Sequence, residues 1–116
     1  MVVEDELSIA NFIVDVLQML GMECRNLTSG SKVLQTAKEW KPDLITLDLM
    51  MPSPDGIEVL NRLKDDPATS SIPVFVISVI AAKSDIAAKI SRANHIFSKP
   101  LDTKRFIEEV QKITAS

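Results

Sequence analysis

A chain of 116 residues with 46% hydrophobic and 25% charged content fits one globular domain with a sizeable core, close to the commonest domain size of roughly 100–150 residues, and leaves no room for a second. The formal net charge of -3 and pI near 5.1 exclude the basic face that direct binding to a nucleic-acid backbone requires, so a protein or small anion is the expected partner. Cys24 is alone, which excludes an internal disulfide and a cysteine zinc cluster and suits a reducing cytoplasm; the longest apolar run, residues 74–82, is broken by Ser78 and falls short of the ~20 residues that span a bilayer, and the acids Glu4-Asp5-Glu6 leave no signal peptide.

In chain order, Val2-Val3 is a short apolar strand, and Leu7 to Leu20 carries Ile9, Ile13, Val16, Leu17 and Leu20 at helical spacing with Gly21 as the stop. Met22 to Asn26 reads as a second strand. Ser29 is placed to cap a helix through Trp40, with Val33, Leu34 and Ala37 on one face and Pro42 just beyond its end. Leu44 to Asp48 is the third strand. Asp55-Gly56 opens a helix with Ile57, Leu60 and Leu63 inward, which Pro67 ends. Val74 to Ser78 is the clearest strand, Lys83 to Arg92 a weaker helix with only Ile86, Ala87 and Ile90 as its apolar face, and His95 to Ser98 the fifth strand. Asp102 caps a final helix carrying Phe106, Ile107, Val110 and Ile113.

Strands separated by helices of this length require crossover connections, hence a parallel sheet covered on both faces: an α/β three-layer sandwich, doubly wound because crossovers are right-handed. All strands then end at one edge, where ligands of such sheets bind. Glu4 and Asp5, Asp48, Ser78 and Lys99 should share that crevice. Three carboxylates in one place repel each other and raise at least one pKa unless a cation intervenes. Magnesium accepts a few carboxylates, keeps several waters and fills its remaining positions with phosphate oxygens. A carboxylate beside it can act as the nucleophile of aspartyl-phosphate chemistry.

The stretches "VVEDE", "DLMMPSPDG", "VFVIS" and "SKPL" together resemble the receiver domain of two-component response regulators of the chemotaxis-regulator type, over nearly the whole chain. That resemblance implies a single receiver domain over 1–116 with a flavodoxin-like sheet in the strand order 2-1-3-4-5. It implies Asp48 as phosphoacceptor, Asp5 as the principal magnesium ligand, Glu4 as its acidic companion and the main-chain carbonyl of Met50 as a further ligand. Ser78 would hydrogen-bond one phosphoryl oxygen and Lys99 would pair with another, with Lys99-Pro100 cis. The implied partners are a sensor histidine kinase or a histidine phosphotransfer protein, an output domain or effector, and a second copy through the last helix-strand-helix face. Membrane and nucleic acid are not among them. The domain would be no enzyme in the usual sense, although it promotes its own phosphorylation and dephosphorylation.

Each anchor alone has a plainer meaning: the acids after the first strand favour a helix N-terminus, Asp48 is a polar strand end, and Lys99-Pro100 marks a loop. Their joint occurrence at strand ends is what carries the reading. A non-phosphorylated interaction module and a phosphatase using Asp48 are the rivals; the intact residue set disfavours the first and Met50, standing where a second acid would be needed, the second. A flavodoxin-type flavin site is excluded by the acidic loop after the first strand.

His95, the only histidine, is expected to be a surface or packed residue, Cys24 a small buried hydrophobe, Trp40 a helix-end packing residue, and Met50 and Met51 loop anchors that pack onto helices. Three departures from the family pattern stand out. The first strand is short, as in a trimmed chain or one with a misplaced start. Ile96 replaces the usual aromatic, so no aromatic rotamer switch is available there. Val79 replaces a very small residue and narrows access to Asp48. Met50 and Ile80, being apolar, are expected to leave the water that attacks an aspartyl phosphate unoriented.

Overall fold

Residues 1–51, 54–81 and 83–114 are described by the computed structural model of the chain. Five parallel strands, β1 (Val2–Val3), β2 (Asn26–Leu27), β3 (Ile45–Leu47), β4 (Val74–Ser78) and β5 (His95–Ser98), form one sheet in the order β2-β1-β3-β4-β5. Helices α1 (Leu7–Met19), α2 (Val33–Trp40), α3 (Gly56–Asp65), α4 (Ser84–Lys89) and α5 (Thr103–Thr114) alternate with them. The expected doubly wound α/β architecture is the one found. Among the described residues no helix is long and apolar enough to cross a membrane.

Successive side chains of a strand point to opposite faces, and the sheet divides its core accordingly. Val3, Ile45, Leu47, Val74 and Val76 meet Val33, Ala37, Leu60 and Leu63 on the face carrying α2 and α3. Val2, Leu44, Phe75 and Ile77 meet Ala10, Ile13, Leu17, Phe106 and Val110 of α1 and α5. Phe75, Phe97 and Phe106 form an aromatic group on that second face, with Phe97 and Phe106 edge to face at 5.6 Å and Phe75 and Phe106 at 6.2 Å.

Where the described elements depart from expectation, pairing or packing explains it. The second strand lies at Asn26–Leu27 instead of Met22 to Asn26, in register with β1, which pairs Val2 with Asn26 and Val3 with Leu27. Ser29 does not cap a helix: its hydroxyl meets that of Ser31 at 3.0 Å, and a 3₁₀ turn over Gly30–Lys32 precedes α2. In α3 the inward stripe is Gly56, Val59, Leu60 and Leu63, so Val59 takes the fully buried place expected of Ile57, which is half-buried. Helix α4 shrinks to six residues; Ile90 is buried and Ile86 half-buried, but Ala87 faces solvent. Helix α5 starts as expected, with Asp102 accepting the Arg105 N–H at 3.2 Å. Ala82, at the end of the long apolar run, and Pro52-Ser53 of the "PSPDG" stretch lie outside the described residues.

Candidate functional site: an acidic crevice at the strand ends

Ladder hydrogen bonds carry the acids to the edge of the sheet. The Glu4 N–H donates to the Leu27 carbonyl at 3.0 Å and the Asp48 N–H to the Val3 carbonyl at 3.0 Å, so both residues prolong the strands that precede them. Their side chains point into the crevice and are buried, Glu4 at 2% and Asp48 at 5% exposure, whereas Asp5 is exposed. One carboxylate oxygen from each of Glu4, Asp5 and Asp48 lies within 4.8 Å of the others. Hard oxygen donors this close, two of them withdrawn from water, fit a hard divalent cation, and the mixture of buried and exposed acids leaves room for water in its shell.

Lys99, after β5, reaches into the same crevice. Its Nζ lies 2.7 Å from Glu4 Oε1 and 3.8 Å from Asp48 Oδ1. Asp48 Oδ1 also accepts the Met50 N–H at 3.3 Å, and Glu4 Oε2 the Glu6 N–H at 3.3 Å. Burial pushes the Glu4 carboxyl up to about 7, opposed by the Lys99 ammonium and reinforced by the neighbouring Asp48. Lys99 thus partly neutralises a cluster whose charge one ammonium cannot balance.

Ser78 closes β4. Its side chain is fully buried and its Oγ has no hydrogen-bond partner among the described residues, an arrangement that costs free energy unless a ligand oxygen supplies the missing bond. Its carbonyl accepts the Lys99 N–H at 3.3 Å. Strand register pairs Leu47 with Val76, which places Ser78 one step beyond the residue opposite Asp48. The Lys99-Pro100 bond is cis, as the resemblance implied.

Glu4, Asp5, Asp48 and Lys99 are therefore gathered, and Ser78 ends the adjacent strand. Met50 enters through its backbone. Its side chain is 53% exposed and does not pack onto a helix as expected; the Met51 N–H donates to the Leu49 carbonyl at 3.2 Å, so the chain turns about Met50 and Met51 takes the buried position. Val79 is likewise exposed, and Cys24 is only half-buried. His95 behaves as a packed residue, edge-on to Phe75 at 5.0 Å with Nε2 2.8 Å from Glu109. Trp40 packs at its helix end, under the Arg25 guanidinium at 4.7 Å.

Two features escaped the sequence reading. One is the direct ion pair between Lys99 and Glu4, since sequence spacing does not tell which acid a lysine will reach. The other is Gly56: a Cβ there would lie 2.2 Å from the Asp48 carbonyl oxygen and 2.5 Å from Leu49 Cα. Only glycine lets α3 start directly on the backbone of Asp48. The Asp-Gly pair was visible, as a helix opening, but not what the glycine touches.

The response regulator receiver domain family matches residues 1–111 of the chain. The polar-differentiation response regulator DivK of Brucella ovis is 34% identical over 112 residues, covering 96% of this chain and 91% of that protein. The N-terminal domain of a response regulator receiver protein from Methanoculleus marisnigri JR1 shares 31% identity and superposes with a TM-score of 0.77 over 99% of this chain and 94% of that one. The receiver domain of the sensor histidine kinase PA1611 from Pseudomonas aeruginosa PAO1, with a magnesium ion coordinated in its active-site cleft, has the same fold: 20% identity, TM-score 0.87, 99% and 95% covered. Receiver domains typically bind magnesium at an acidic cluster and work with histidine kinases or phosphotransfer proteins. By the match along nearly its whole length, the chain belongs to the response regulator receiver family, the phosphoacceptor domains of two-component signalling.

Proposed function

We propose that residues 1–116 form a single receiver domain whose phosphoacceptor is Asp48. The observation that carries this is the convergence of the Asp48, Glu4 and Asp5 carboxylates within 4.8 Å beside the Lys99 ammonium. In the transfer, an Asp48 carboxylate oxygen attacks the phosphorus of a phosphohistidine on the partner. The new P–O bond forms as the P–N bond breaks, and the imidazole leaves with the bonding pair and takes up a proton.

Asp5, Asp48 and the Met50 carbonyl, with Glu4 beside them, are the groups that would hold magnesium; when bound, the ion supplies positive charge to the phosphoryl oxygens. Lys99 is close enough to Asp48 to neutralise one phosphoryl oxygen, and the Ser78 hydroxyl, without a partner among the described residues, is suited to donate to another. These residues promote phosphorylation and, more slowly, hydrolysis. Met50, exposed, and Ile80, half-buried against the core, offer no side-chain hydrogen bond to an attacking water, which supports a long-lived aspartyl phosphate. The domain works in the cytoplasm, receives its phosphoryl group from a kinase or phosphotransfer partner, and passes the change to an output domain or effector or to a second copy across the α4-β5-α5 face, with no direct contact to nucleic acid.

Intact-mass measurement after incubation with acetyl phosphate and magnesium tests the assignment. One acid-stable, base-labile phosphoryl adduct is expected, absent from Asp48→Asn. Equal labelling of that variant would overturn it. Decay of the wild-type adduct within seconds, or an unchanged lifetime in Met50→Asn with Ile80→Glu, would overturn the slow-hydrolysis assignment.

A further inference from the structure

The geometry points to Gly30, which belongs to none of the acidic loops, as a positioning residue for Asp48. This inference rests on Asp48 as the reacting carboxylate. Gly30 opens the 3₁₀ turn before α2 and is buried. A Cβ at Gly30 would lie 2.6 Å from the Pro54 carbonyl oxygen, 2.6 Å from Val59 Cγ2 and 3.3 Å from Pro54 Cγ. Real Cβ atoms essentially never approach other atoms to within 3.0 Å, so the start of α3 rests directly on the Gly30 backbone.

The same stretch of α3 rests on the acid. A Cβ at Gly56 would meet the Asp48 carbonyl oxygen at 2.2 Å and its carbonyl carbon at 2.9 Å, and the Gly56 N–H donates to the Leu49 carbonyl at 3.1 Å. Helix α3 is stiff over this span, with Asp55 accepting the Glu58 N–H at 2.9 Å and Val59, Leu60 and Leu63 buried. Two missing side chains therefore hold the first turn of α3 between the turn before α2 and the backbone of Asp48. An atom added at Gly30 can be accommodated only by moving Pro54 and Val59, and with them Gly56. Asp48 lies next in that line, and displacing its backbone re-aims the carboxylate relative to Asp5, Glu4 and Lys99.

Close packing transmits such displacements, because an interior without voids cannot absorb them locally. A misplacement of about 1 Å at a reacting group costs on the order of 100-fold in rate, and a partial shift should cost less. Gly30→Ala is expected to slow adduct formation from acetyl phosphate by about 10-fold at saturating magnesium and to weaken magnesium binding. The comparison variant is Val110→Ala, which opens the core on the opposite face of the sheet, where Val110 is fully buried. It should lower the melting temperature without either effect.

Backbone amide chemical shifts of Asp48, Met50 and Gly56 give a readout independent of phosphorylation. They should move in Gly30→Ala and stay in place in Val110→Ala. If they move while wild-type protein forms no adduct, the phosphoacceptor assignment falls, and with it the positioning of a reacting group, while the packing link from Gly30 to the Asp48 backbone stands. If Gly30→Ala keeps the wild-type shifts and adduct rate and only melts lower, Gly30 is structural and the inference is wrong. Should that variant fail to fold, Gly30→Ala with Val59→Ala removes the side-chain overlap but keeps the one with the Pro54 carbonyl. The same displaced amides and slowed labelling are then expected, and wild-type behaviour would overturn the inference.

Discussion

Along β3, Ile45 and Leu47 are buried among apolar side chains; Asp48, the next residue, is almost as buried but shares its space with two other carboxylates. The middle of the sheet and its C-terminal edge thus put equal burial to opposite use. In the middle, each Å² of apolar surface removed from water contributes roughly 25 cal/mol. At the edge, burial raises the energy of charges that Lys99 only partly offsets, and the Ser78 hydroxyl has no hydrogen-bond partner among the described residues. The lesson is that the strands supply rigidity and the edge holds an unsatisfied electrostatic demand, which a cation and a phosphoryl group can meet.

The largest effect should come from breaking the middle. Phe106→Ala, which opens the aromatic group between β4, β5 and α5, is expected to cost about 3–5 kcal/mol in denaturant unfolding. A loss under about 1 kcal/mol would mean that the aromatic packing contributes far less than its burial implies.

At the edge the sign reverses. Magnesium should stabilise the fold by about 2.7 kcal/mol at a hundred times its dissociation constant, seen as a rise in melting temperature that Asp5→Ala reduces. No rise under conditions of measured binding would remove the contrast between the two regions.

Glu4 sharpens it further. Its folded carboxyl titrates at about 7 against an ordinary 4.5, so between those values the folded state holds more protons than the unfolded one. In metal-free buffer, the Glu4 contribution therefore favours folding at low pH and is lost as pH rises from about 4.5 to 7. Glu4→Gln, which cannot titrate, should flatten that part of the stability profile by on the order of 1–2 kcal/mol. Parallel wild-type and variant profiles from urea unfolding would show that the crevice does not strain Glu4.

The smallest effect belongs to neither region. Arg62 and Glu58 form an exposed pair one turn apart on α3 at 2.6 Å, and Glu58→Ala should cost no more than about 0.5 kcal/mol. A loss above 1 kcal/mol would indicate that α3 is held by its surface as well as by Gly30 and Gly56.

The layer plan and the chemistry of the edge follow from the residues alone. Short apolar runs and helical apolar spacing depend only on local sequence, so β4 and β5 and the capped start of α5 are legible residue by residue. Carboxylates at the ends of parallel strands had to converge once the crossovers were right-handed. What depends on partners distant in sequence had to wait for the packed fold. It placed β2 at Asn26–Leu27 because β1 pairs there. It chose Val59 over Ile57 for the core and turned Met50 outward. It tied Lys99 to Glu4 across 95 positions, and it gave Gly30 and Gly56 their contacts with Pro54 and Asp48. These are matters of a few tenths of an ångström between packed surfaces, and a residue's own propensities carry no information about the atoms that will face it.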